Sequence, residues 1–302
     1  MFWESVSGKL AERLTVELVA PATLFWAAGL GAWILDDGWN DSAGRVIHWF
    51  SGLSGVEQVL VSAGALGTLV VSAAIGEHLA PTVLRVLEGY WPRGLRRLRD
   101  AATAARSRRI ERAESALVKL EAKRRRSGLT PGETLEFSRL DSKLRRVPAA
   151  PDLRMPTRLG DVLRAGETWP RQKYGLDAVV CWPRLWLLLP EQVRTDLAEA
   201  RRKLDHSVAI AMWGVLIVVW TPLTWWALPA AAVVTSFAYA RSLRAAEVFA
   251  DLVEAAFDDF RDSLYTHVGL AVPAAREGER QAGEFLTAYL WRGEASAGSP
   301  PR

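Results

Sequence analysis

The chain has 302 residues, half of them hydrophobic and 14 of them Trp, with a formal net charge of +4. Its one cysteine, Cys181, excludes an intramolecular disulfide and a Cys-rich metal site, and its 4 histidines are scattered without ligand spacing, so zinc and haem chemistry are not expected. Apolar residues are gathered into runs long enough to cross a bilayer, with the charges between them, which points to an all-α, polytopic membrane protein.

Residues 1–15, with Trp3, Lys9 and Arg13 among small and apolar neighbours, read as an amphipathic segment on the inner membrane face. Val16 to Leu35 is almost uninterruptedly apolar, which at about 1.5 Å per residue is enough helix to cross roughly 30 Å of hydrocarbon. It lacks a small-residue cleavage site and reads as a retained first span. Asp36, Asp37, Gly38, Asn40 and Asp41 end it, and the loop to Glu57 carries one Arg, Arg45, which places that loop outside. A second span, Val59 to Ile75, holds Ser62, Gly64, Gly67 and Ser72, small residues that let membrane helices approach closely. Glu77 and His78 close it and Pro81 is expected to kink its continuation, so residues 1–90 make one region.

Residues 91–147 form a basic region: from Arg93 to Arg146 there are 17 basic and 7 acidic residues, which the positive-inside rule assigns to the cytoplasm. Ile110, Ala113, Leu117 and Leu120 repeat at helical spacing, and Thr130-Pro131-Gly132-Glu133 has the pattern of a capping box, so an antiparallel, coiled-coil-like hairpin turning at Ser127-Gly128 is expected. Pro148, Pro151 and Pro156 mark a linker that opens region 148–206. Within it the aromatic run around Tyr174, Trp182 and Trp186, interrupted by Asp177, Pro183 and Arg184, is too short to span and reads as an interfacial anchor, with Pro183 fixing a turn.

Region 207–268 supplies the last two spans. Val208 to Trp220 begins the third, Trp225 and Trp226 sit near its outer end, Pro229 predicts a turn, and the fourth runs from Ala230 as a helix that leaves the membrane at Arg241 and continues to about His267. Residues 269–302 are expected to be a cytoplasmic tail, disordered from Glu294. The pattern gives four spans with both termini inside, and no internal repeat of a transporter type.

Three groups of residues could carry function. Glu17, Glu77, His78, Arg241 and Arg244 fall at the inner membrane boundary, either as a polar constriction whose arginines ring an anion pore in an oligomer, or as side chains that pair and snorkel to headgroups. Lys123, Arg124, Arg125 and Arg126 form the densest basic cluster; without interleaved aromatics it points to anionic lipid or a protein partner rather than to nucleic acid. Tyr174, Trp182, Arg184 and Trp186 form the anchor, which would become a ligand site if Asp177 and Arg184 converged. Cys181 reads as a small buried hydrophobe. No catalytic constellation and no cofactor motif is present, so an enzyme is not expected.

The Tyr174-to-Trp186 stretch and the four-span, long-loop layout resemble membrane proteins of high-GC, actinobacterial-type bacteria, a resemblance that implies a bacterial plasma-membrane location and no particular activity. In layout alone the chain also resembles oligomeric channels of the bestrophin type, whose pore motif it lacks. Two functions therefore stand at this stage: an oligomeric channel-like protein with a cytoplasmic regulatory region, or a non-enzymatic anchor that docks a cytoplasmic partner.

Overall fold

The computed structural model describes the backbone of residues 16–37, 39–273 and 276–293, and the side chains of residues 21–33, 44–273 and 278–293. The amphipathic segment expected at 1–15, the side chain of Glu17 and the tail from Glu294 lie outside the described residues. Among the described residues the regular structure is all helical: α1 Val16–Asp37, α2 Trp39–Ser51, α3 Gly55–Glu88, α4 Arg96–Ser127, α5 Pro131–Arg145, α6 Arg158–Tyr174, α7 Ala178–Leu188, α8 Glu191–Leu216, α9 Ala227–His267 and α10 Arg276–Arg292. Short 3-10 turns cover Arg93–Leu95, Pro151–Leu153 and Ile217–Trp220.

The chain divides into two compact units, Met1–Leu84 with Arg202–Ser242, and Arg85–Arg201 with Leu243–Arg302. The core of the first unit is small and aromatic. Phe25 packs on Trp213 and Trp220, with ring centroids 5.1 and 5.3 Å apart, and Trp26 Nε1 donates to Ser72 Oγ at 3.2 Å. Glycine is needed where these helices meet: a Cβ on Gly29 would run into the Trp220 ring, and one on Gly76 would lie 3.0 Å from Trp213 Nε1. Outside that core the large apolar side chains face outward, including Val59 at 67 % exposure, Leu66 at 63 % and Phe237 at 68 %.

Two helical stretches, one beginning at Gly55 and the other running from Glu191 to Trp220, are long and apolar enough to cross a membrane, and their apolar windows are only 11 % and 33 % buried. A soluble protein would cover such surface. The first half of α9 does not reach this length: Ala227 to Ala240 is 14 residues without a charge, about 21 Å of helix, before Arg241 intervenes.

Several expectations change at the level of single elements. The loop expected between the first two spans contains a helix, α2, followed by a cap at the start of α3 in which Ser54 N donates to Glu57 Oε2 at 2.8 Å. As expected, the second apolar helix continues past Pro81, which sits inside α3, and it ends at Glu88. The turn expected at Pro229 lies earlier, at Thr221–Trp226, closed by Thr224 N donating to Trp220 O at 3.1 Å; Pro229 falls in the first turn of α9, where a missing N–H costs nothing. The expected tail contains α10, which packs on α6 and α7.

In the second unit the basic hairpin forms as the pattern predicts. Gly128 takes φ +77°, a value that a residue with a Cβ resists, and Thr130 and Glu133 complete the capping box behind Pro131. The unit's main core joins α6, α7, α8, α9 and α10 through Tyr174, Cys181, Leu185, Leu197, Phe257, Leu264 and Leu286. Arginines fasten the hairpin base to α9: Arg146 donates to Asp251 Oδ2 at 2.7 Å and to Glu247 O at 2.9 Å, and Arg145 lies 3.7 Å from Glu254.

Candidate functional site

The second unit owes its site to a close approach at the end of α3. Thr157 caps α6 by accepting from Gly160 N at 3.0 Å, and its hydroxyl donates to Glu88 O at 3.0 Å. Any side chain on Gly160 would strike that same carbonyl, so glycine alone lets α6 sit against the end of α3. On α6, Gly166 likewise faces Ala250 of α9, where a Cβ would lie 2.9 Å from the alanine methyl. These contacts position the α6 and α9 side chains that bound two adjoining openings.

One opening is an amphipathic cavity of about 360 Å³, walled by Leu163, Val179, Trp182, Phe249 and Val253 and carrying Glu88, Glu167 and Arg201. The Arg201 guanidinium lies over the Phe249 ring, 5.7 Å from its centroid. Burial pushes the Glu88 carboxyl above the usual carboxylate range; Arg201 and Arg85 pull it back in part, and Glu167 adds to the rise. The other is a charged cleft of about 370 Å³ whose lining includes Asp152, Arg164, Gln172, Asp177 and Arg280. Glu167, Ala178 and Val179 belong to both linings, and Arg164 donates to Glu167 at 2.8 Å.

Next to these lies a buried charge cluster. Asp161 is fully buried on α6, accepts from Met155 N at 2.7 Å and is paired with Arg106 of α4. Burial raises its pKa, and the Met155 and Arg106 contacts offset this only in part. Arg154, 6 % exposed, donates to Glu114 at 2.7 Å, while its Nε and Nη1 make no hydrogen bond. The cluster ties the hairpin to α6 and gives it a structural role, since neither opening includes these side chains.

The residues singled out from sequence are dispersed. Glu77, His78 and Arg241 in the first unit, and Arg244 in the second, are exposed, and none makes a hydrogen bond or ion pair among the described residues. At the hairpin tip Lys123 pairs with Glu133 at 2.5 Å, Arg125 with Glu121 at 2.7 Å, and Arg124 stacks over Phe137, which leaves Arg126 as the member of the cluster without such a contact among the described residues. Tyr174 is a core residue, not an exposed anchor: its ring is buried and its hydroxyl donates to Asp258 Oδ1 at 2.6 Å.

Trp182 and Trp186 are half-buried against the same core, and Pro183 lies inside α7 instead of making a turn. Asp177 caps α7 by accepting from Val179 N at 3.0 Å, whereas Arg184 reaches toward Leu290 O, so the two do not converge. Burial raises the Cys181 thiol to about 11, which makes it a poor nucleophile. Sequence reasoning missed Glu88, Glu167, Arg201 and Phe249; they are far apart in the chain and fit no local motif. No known protein family, curated protein or solved structure matches the chain.

Proposed function

We propose that the protein is a four-span membrane anchor that holds a non-enzymatic helical binding domain at the cytoplasmic face of a bacterial plasma membrane. The observation that carries this reading is a contrast between the units: outside a small aromatic core the first leaves its large apolar side chains exposed, whereas the second buries an extended core and keeps two lined openings beside it. Residues 207–240 carry no formal charge and fold as a helical hairpin, which supports counting its two arms with α1 and α3 as the four proposed crossings. The basic excess of the second unit's hairpin sets the orientation and favours contact with anionic headgroups.

A silent planar bilayer across voltage and pH, together with a cytoplasmic protein that co-purifies in nanodiscs at high salt and is lost when residues 96–145 are replaced, is the expected result. Discrete single-channel currents would overturn it.

One observation favours a second reading, an oligomeric channel. The apolar run of α3 is 11 % buried, and Gly64 and Gly67 present open surface on which a like helix could pack. In that reading Arg241 and Arg244 line the inner mouth, and their charge reversal changes anion selectivity.

A further inference from the structure

The amphipathic cavity of the second unit goes further than the general reading of a binding domain, on which this inference rests, because its lining specifies a ligand. We infer that the cavity takes an organic cation: a flat apolar body between Trp182 and Phe249 with a protonated amine directed at Glu88 and Glu167.

The volume, about 360 Å³, lies at the lower end of the range of roughly 300–1,000 Å³ typical of small-molecule pockets, which are likewise mostly apolar with a few converging polar groups. Two carboxylates and one guanidinium line it. Glu167 is paired with Arg164, which belongs to the cleft lining and not to this one, so within the cavity lining itself carboxylates outnumber the guanidinium two to one. The Arg201 guanidinium over Phe249 shows that the aromatic wall accepts a cation. A ligand ammonium would make the same kind of contact with Trp182 while relieving the mutual repulsion of Glu88 and Glu167. An anion would meet both carboxylates.

Affinity should also fall in acid. The groups facing Glu88 are Arg85 on its own helix, Arg201 on α8 and Glu167 on α6, and the balance leaves its carboxyl easier to protonate than an exposed one. Protonation removes the counter-charge that the amine needs.

The test uses the full chain in nanodiscs with three probes that share one ring, 1-naphthylmethylamine, 1-naphthalenemethanol and 1-naphthoate, measured by equilibrium dialysis against empty discs. The expected result is saturable retention of the amine about tenfold tighter than the carboxylate, weakened about tenfold by Glu88→Gln and weakened progressively by acid, with no pH effect left in the variant. The backbone carbonyl of Glu88 makes the contact to Thr157, so the side-chain change leaves the α3–α6 packing in place. Val253→Phe, which fills the cavity without altering charge, should abolish retention while helical circular dichroism is unchanged. Retention no greater than by empty discs, or equal retention of amine and carboxylate, or a folded Val253→Phe that still binds, would overturn the inference. Silent dialysis with a salt-resistant protein partner present would reject the cation and leave the binding domain standing.

Discussion

The hydroxyl of Tyr174, at the end of α6, donates to Asp258 Oδ1 on α9 at 2.6 Å, and Lys173 Nζ reaches the same carboxylate at 2.9 Å. Eighty-four residues separate the two partners of the first bond. Burial alone would raise the Asp258 carboxyl, but the hydrogen bonds from Tyr174 and Lys173 outweigh it and hold the group below the usual carboxylate range. A carboxyl depressed on folding stabilises the fold above its unfolded pKa and loses that contribution as pH falls through the folded value. Tyr174→Phe should therefore lower stability by about 1–2 kcal/mol at neutral pH and flatten the acid limb of the stability profile. Thermal unfolding in detergent across pH reads both; an unchanged acid limb would remove Tyr174 from the interaction.

Asp161 behaves in the opposite sense. Its pKa is raised by burial, so its ionised form is a cost that the Arg106 pair offsets and that protonation relieves as pH falls toward the folded value. Arg106→Met leaves that carboxylate without its partner and should destabilise by about 3 kcal/mol at neutral pH, the low end for a broken buried pair because Arg106 is itself partly exposed. The deficit should shrink in mild acid. Equal losses at pH 7.5 and pH 5 would argue that Arg106 acts by packing alone.

Cys181 is fully buried, and its thiol is raised by burial to about 11. Maleimide at neutral pH should leave the folded protein unlabelled and modify it only after denaturation, as read by intact mass. Rapid labelling of the folded chain would mean that α7 opens. An inert native thiol also lets single cysteines placed elsewhere report which side of the membrane they occupy.

At the hairpin tip, Glu133 is lowered to about 2 by its hydrogen bond from Lys123 and then by those from Thr130. The sign is that of a depressed carboxyl: the tip is fully held above the unfolded pKa and loosens as pH falls through the folded value. Protection from hydrogen exchange at residues 127–134 should persist down to about pH 3.5, near but below the usual carboxylate pKa, and Glu133→Gln should reduce it most at neutral pH. Exchange indifferent to that substitution would show that Gly128 and Pro131 hold the turn unaided.

Much of the local structure was legible because local chemistry decides it. The capping box at Thr130 and Glu133, the turn at Gly128 and the run of α9 to His267 each follow from spacing within a few residues, and no distant contact has to agree. The segregation of apolar runs from basic ones was legible for the same reason, and it is what points to a membrane. The aromatic stretch from Tyr174 was misleading: exposed interfacial rings and buried core rings give the same composition, and only the presence of Asp258 and Phe257 on α9 makes Tyr174 a core residue.

By itself, then, the sequence determined the long helices, the capped hairpin and which stretches avoid water, and it missed α2 and α10, since hydrogen bonding along a helix and the transfer of side chains from water depend on near neighbours whereas short amphipathic helices depend on what they pack against. The tertiary structure decided which faces are covered and which charges meet. It neutralised most of the basic tip, buried Asp161 beside Arg106, and gathered Glu88, Glu167, Arg201 and Phe249 around one cavity. The cavity depends on the close approach of α6 to the end of α3 at Gly160 and to α9 at Gly166, where the absence of two side chains sets helix spacing between segments remote in sequence.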